Sequence, residues 1–195
     1  MDIKAKLDRI LDQWNLLNHP FYQAWSAGTL SLDALRIYAR EYRELIAALP
    51  MGWETLQDEE TASEEREHIL LWDDFREALG EGDLRASIKE AKELTRAAHE
   101  LFSTPAAALG ALYAFEAQQP ATAKSKLDGL KTHYQLPKET EPYFEVHSSN
   151  WHESRKLLDQ ISALSPSEQD EAYRGCERMA ASLWNALTGI QQAAC

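Results

Sequence analysis

Val146 is the only valine in the 195 residues, whereas leucine and alanine recur throughout. Strands draw on β-branched and aromatic side chains that fit a pleated, half-buried surface. This chain has almost nothing from which to build a sheet. Its 8 glycines and 7 prolines fall mainly between apolar-periodic stretches, where they punctuate helices. The sequence therefore predicts an all-α protein, a compact bundle of about seven to nine helices. Its length suits one domain over 1–195, and no repeat or linker divides it.

The periodicity predicts a first helix from about Asp2 to Asn18 and a short one opened by Pro20 and ended by Gly28. Ser31 caps a third, with Tyr38 and Tyr42 on one face up to Pro50. The acidic DEETASEE stretch reads as a loop or break, with Ser63 capping the helix that carries His68 and Trp72. A charged helix follows Gly82 and ends near Phe102. Thr104 and Pro105 start the apolar AAALGALYAFEAQQ, ended by Pro120. A segment holding Lys124 and Lys126 runs on to a break near Pro137. One helix begun by Thr140 and Pro142 is expected to hold both His147 and His152. Ser165, Pro166 and Glu168 form a capping box for the last helix.

Composition excludes several classes of function. With 20 Lys and Arg against 32 Asp and Glu, the net charge of −12 argues against nucleic-acid binding, which needs a basic footprint. No apolar run approaches the roughly 20 residues that span a bilayer. The opening MDIKAKLDRILDQW is amphipathic rather than a secretory signal. Two cysteines, Cys176 and Cys195, make no disulfide framework or thiolate site, and a reducing cytoplasm fits them best. Phosphate-binding glycine loops and a G-x-S-x-G elbow are absent.

Glu116 is the most informative residue. It sits among small and apolar neighbours, so its carboxylate is either neutral, paired or metal-bound, or it emerges at a rim beside Gln118 and Gln119. His68 follows Glu65 by three residues, the Glu-x-x-His unit with which carboxylate bundles hold iron; an exposed ion pair explains the same spacing. His147 and His152 are five apart, which turns them about 140° from each other on a regular helix. His19 fits a turn before Pro20, and His99 and His133 fit the surface. Cys176 reads as a structural thiol.

Four stretches resemble the haem-oxygenase-like superfamily of TenA and PqqC proteins. They are NHPFYQAWSAGTLSLDALRIYAREY at 18–42, QDEETASEEREHILLWDDFREALG at 57–80, ALYAFEAQQPATAKSKLDGL at 111–130 and YFEVH at 143–147. Within the superfamily the likeness is strongest to the CADD-like non-haem di-iron oxidases, named for a chlamydial protein associating with death domains. The resemblance implies metal roles for Glu59, His68, Glu116 and His147, with Glu65 the alternative to Glu59 by helix phase. It implies one or two iron ions, or manganese, with oxygen and an aromatic or aliphatic small molecule as reactants, and a homodimer. It also implies that Tyr22 and Lys126 are consumed to form para-aminobenzoate beside Tyr38.

One departure stands out. The family pattern is H-x-x-x-D-x-x-H, but His147 is followed by SSNWHES, which puts Trp151 and Ser154 at the ligand places. His152 serves as the last ligand only if two residues are deleted, and Asn150 then stands nearest the aspartate. The chain thus holds two metals in an altered shell, one, or none. A metal-free binding protein and, less well, a TenA-like hydrolase of thiamin fragments are the rival readings.

Overall fold

In the computed structural model, which describes residues 2–82 and 85–194, every regular element is helical. Cys195 lies outside the described residues. The helices are α1 (Ile3–Gln13), α2 (Pro20–Ser26), α3 (Leu32–Thr55), α4 (Glu59–Ala78), α5 (Lys89–Leu101), α6 (Pro105–Glu116), α7 (Gln119–His133), α8 (Pro142–His147), α9 (His152–Ala163) and α10 (Pro166–Ala193). Short 3-10 turns at Leu16–Asn18 and Lys138–Thr140 complete the chain trace. The all-α bundle expected from composition is the observed fold. No helix is long and apolar enough to cross a membrane among the described residues.

Helix α6 is apolar on every side and all but its first residue are buried, so it runs through the middle of the bundle. Two glycines let α10 lie against it at close range. A Cβ on Gly110 would stand 1.8 Å from the carbonyl oxygen of Ala172, and one on Gly175 would stand 2.6 Å from that of Ala107. Backbone thus meets backbone at this crossing, and α6 is fixed with Glu116 at its last turn.

Several expected boundaries move, each for a local reason. The first helix stops at Gln13, and Asn15 starts a separate 3-10 turn by accepting from the Leu17 amide. Helix α3 continues through Pro50 to Thr55. The break falls at residues 56–58, where Gln57 adopts a positive φ of 60°. The acidic stretch is therefore not a loop. Asp58 rather than Ser63 caps α4 by accepting from the Thr61 amide, and Glu59 and Glu60 occupy the first turn, where the helix dipole favours them. Pro120 does not end α6; it lies in the first turn of α7, a place that needs no amide donor. The capping box at Ser165 and Glu168 is present as read.

The largest correction concerns the histidines. His147 closes α8 and His152 opens α9, so no single helix carries both. Ser148, Ser149 and Asn150 favour turns over helix interiors, and the chain bends there.

Candidate metal centre

Four helices bring acids and imidazoles together. The i, i+3 spacing on α4 sets Glu65 and His68 on one face, with Glu65 Oε1 3.3 Å from His68 Nδ1. The last residue of α8 places the His147 ring 4.5 Å from that of His68. Glu65, His68 and His147 each offer a ligand atom within 4.8 Å of the others. Glu116 from α6 and Glu153 from α9 are the remaining acids of the cluster; burial and the charge of Glu65 raise the pKa of both, and the charge of Glu153 adds to the rise at Glu116.

This cluster leaves its polar atoms without partners. Glu65 Oε2, Glu116 Oε1, His147 Nε2 and both oxygens of Glu153 are buried with no hydrogen-bond partner. The exposed His152 ring stands outside Glu153, with its Nε2 3.5 Å from Glu153 Oε1. An unsatisfied buried carboxylate is costly, and three around two imidazoles are far more so. Glu41 shows what a structural buried glutamate looks like: the Ser87 and Ile88 amides and the Ser87 hydroxyl all donate to it.

The electrostatics of the cluster suit a cation. Burial, then the charges of Glu65 and Glu153, push the Glu116 carboxyl well above the usual range. Burial pushes His147 down to about 4, so its ring is neutral at physiological pH. The Tyr143 carbonyl accepts from His147 Nδ1 at 2.7 Å, which fixes the tautomer and leaves a lone pair on Nε2. Burial opposes the His68 cation, but the hydrogen bond and charge of Glu65 outweigh it and raise its pKa. Carboxylates with imidazoles are the donor set that iron or manganese takes, so the residues fit the metal that the fold family implies.

The other expected ligands fall outside this cluster. Glu59 is exposed at the start of α4 and pairs with Arg66 at 2.8 Å. Glu65, the choice by helix phase, is the acid that α4 turns inward. His152 is 73% exposed; with Glu64 and Glu153 it makes a second group at the rim whose ligand atoms lie within 4.8 Å of one another. Trp151 is exposed. The bend after His147 turns Glu153 inward instead, a change of path that spacing along a regular helix does not give.

A second cluster adjoins the first. Tyr22 from α2, Tyr38 from α3 and Lys126 from α7 are all buried. The two phenol oxygens lie 3.0 Å apart, and Lys126 Nζ lies 3.4 Å from that of Tyr22 and 3.1 Å from that of Tyr38. Burial lowers the Lys126 pKa to about 7, against 10.5 for an ordinary lysine, and raises both tyrosines well above theirs. The cavity they share with Tyr42, Trp72 and Tyr143 has room for about 10 Å³, at most one water.

Other residues take structural roles. His19 caps α2, accepting from the Phe21 amide, and its other nitrogen meets Thr188 at 3.0 Å. His133 is exposed at the Ser26 carbonyl. Cys176 is fully buried and burial pushes its thiol up to about 12, the surroundings of a structural thiol.

The sequence pattern of a family described as iron-containing redox enzymes matches residues 39–184. A protein of Nitrosomonas europaea named 4-aminobenzoate synthase is 30% identical, with 98% of this chain and 92% of that protein covered. One of the same name from Chlamydia pneumoniae is 28% identical over 94% of this chain and 92% of its own. Among solved structures, a TenA homologue from Pseudomonas syringae superposes with a TM-score of 0.80 at 14% identity, covering 97% of this chain and 93% of its own. A CADD-like protein of unknown function from Nostoc punctiforme gives 0.68 at 20%, covering 97% and 99%. The chain belongs to the iron-containing redox enzyme family, with a haem-oxygenase-like fold.

Proposed function

We propose that this protein is a non-haem iron oxidase that makes 4-aminobenzoate from its own side chains, with the ring of Tyr22 and the nitrogen of Lys126. Glu65, His68 and His147 would hold the metal, with Glu116 and Glu153 as further carboxylate ligands. Iron or manganese, when bound, supplies oxidation by dioxygen. The relatives named 4-aminobenzoate synthase support the product, since they align over nearly the whole chain.

The observation that carries the reading is the filled cavity. A substrate oxidase keeps an open pocket of several hundred Å³ beside its metal. Here the space is taken by Tyr22, Tyr38 and Lys126, and about 10 Å³ remains. Each group also stands in the state the chemistry needs. A lysine forms a C–N bond only as the free amine, and burial brings Lys126 to that state near neutral pH. Tyr38 holds the Tyr22 phenol through its hydroxyl, and the aromatic walls around both exclude water. The unpartnered carboxylates argue against the rival of a metal-free binding protein, which would have no cation to offset them.

Protein grown with carbon-13 tyrosine and nitrogen-15 lysine, loaded anaerobically with iron and reductant and then given oxygen, tests this reading. The expected result is 4-aminobenzoate carrying both labels, not exceeding one per chain, with loss of mass at the Tyr22 peptide. Intact Tyr22 and Lys126 peptides with no labelled product would overturn it.

A further inference from the structure

Tyr22, Tyr38 and Lys126 are all buried, so an aromatic molecule set free among them leaves only if a wall of their cavity moves. One wall backs onto a second hollow. A cleft of about 160 Å³ lies between the end of α1 and the start of α7, beside Asn15, Leu17, Gln118 and Thr122, and it meets solvent at the exposed Asp12. Thr122 lines both the cleft and the cavity, Leu16 lines the cavity, and its neighbour Leu17 lines the cleft. The partition is therefore the 3-10 turn Leu16–Asn18 set against Thr122. The groove at Arg43 and Arg76 and the groove at Lys6 and Tyr173 share no lining residue with the cavity.

We infer that this turn is a door, and that the cleft outside it is the port through which a small flat aromatic molecule passes between the Tyr22 cavity and solvent. That the molecule is the product rests on the self-processing reading above; the door itself does not.

The turn is built to move as a unit. The Leu17 amide donates to Asn15 Oδ1 at 3.1 Å, the Asn18 amide to the Asn15 carbonyl at 2.9 Å and the His19 amide to the Leu16 carbonyl at 3.0 Å, all within the segment. Its tie to the bundle is the Leu16 amide, which donates to Gln118 Oε1 at 2.9 Å, while Gln118 Nε2 is anchored on the Ala114 carbonyl at 3.2 Å. The flanks are held: the Trp14 ring lies 6.2 Å from that of Trp184, and His19 Nε2 meets Thr188 at 3.0 Å. Swinging the turn outward breaks the Leu16–Gln118 bond, withdraws the Leu16 side chain from the cavity wall and leaves the internal bonds intact. Segments that admit or release small molecules open locally in this way. Size agrees, since a hollow of about 150 Å³ takes a benzene-sized ring. The cleft is lined by Asp12 but by no cation, so it passes a benzoate on rather than storing it.

The test uses metal-free protein, which keeps it apart from the oxidation. Tyr22→Ala vacates a ring-sized space, and 4-fluorophenol is the probe, its exchange between free and bound read by fluorine NMR. Adding Leu16→Ala should speed that exchange at least about tenfold. Leu183→Ala, which trims the same cavity by as much on the α10 side, should stay within about threefold. Equal effects of the two truncations, or none from Leu16→Ala, would overturn the port, because a generally loosened core serves both alike. If Tyr22→Ala fails to fold or to take the phenol, hydrogen exchange of the parent decides. The Leu16 amide should exchange at least about a hundredfold faster than the buried amides of α6, with no dependence on denaturant, as a local opening does. A Leu16 amide as slow as those of α6 would overturn the door. With iron and oxygen, Leu16→Ala should release 4-aminobenzoate sooner than the parent at equal yield. Fast phenol exchange with no such product would remove the self-processing reading and support the port alone.

Discussion

Two buried polar clusters lie side by side in this bundle, and they differ in one respect. The tyrosine–lysine cluster satisfies itself: each phenol and the amine find partners within 3.0–3.4 Å. The carboxylate–imidazole cluster does not, and leaves orphaned atoms on Glu65, Glu116, His147 and Glu153. A folded protein tolerates orphans of this kind where something else completes them. The contrast teaches that a buried polar cluster closed by its own hydrogen bonds needs nothing added, whereas one with orphaned carboxylates has the chemistry to take a cation.

The largest effect that separates the clusters is metal-dependent stability. Iron or manganese at about 100 times its dissociation constant should raise stability by about 2.7 kcal/mol, read as a shift in thermal midpoint. His147→Ala or Glu65→Ala should abolish that shift, and Tyr22→Phe should leave it intact. A metal shift that survives His147→Ala would place the ion elsewhere.

Lys126 provides the next effect, with a defined pH dependence. Its folded pKa of about 7 lies below the ordinary 10.5, so below pH 7 the native state carries the full cost of a buried cation. Between pH 7 and 10.5 the native state releases its proton before the unfolded chain does, and stability rises with pH. Lys126→Met should therefore stabilise by on the order of a few kcal/mol at pH 6, and the gain should shrink as pH climbs through that window. Urea denaturation at pH 6 and pH 9 measures it; an equal gain at both would contradict burial of the amine.

Glu116→Gln should move the two states of the metal site in opposite directions. The metal-free protein loses a repulsion with Glu65 and Glu153 and melts higher, whereas the metal-bound form loses a ligand and gains less from iron. Smallest of all are His152→Ala and Glu59→Ala, both on the surface. Each should change stability by less than about 0.5 kcal/mol and leave metal per chain unaltered. A drop in metal content for His152→Ala would return that histidine to the site.

Much of this was legible in the sequence. The all-α class followed from one valine, and Glu116 declared itself because a carboxylate in LGALYAFEAQQP has nothing near it in sequence to pair with. His68 with Glu65 followed from helix phase. The sequence was opaque where the chain bends. Nothing in HSSNWHES states how far the path turns between α8 and α9, so the sequence could not say that Glu153 is buried and His152 exposed. Alignment likewise favoured Glu59, although helix phase from His68 reaches Glu65 directly. The burial of Lys126 was invisible for another reason. The residues around it come from α2, α3 and α8, and only tertiary packing assembles them.

The central claim, that the orphaned cluster is a metal centre, is tested most directly by diffraction from crystals grown anaerobically with ferrous iron, recorded on both sides of the iron edge. The account expects an anomalous peak bounded by His147 Nε2, His68 and Glu65, with metal–ligand distances of roughly 2.0–2.2 Å and Glu116 and Glu153 turned toward it. Crystals with no anomalous peak there, and with the His147 and Glu116 atoms bonded to water or to other side chains, would contradict it.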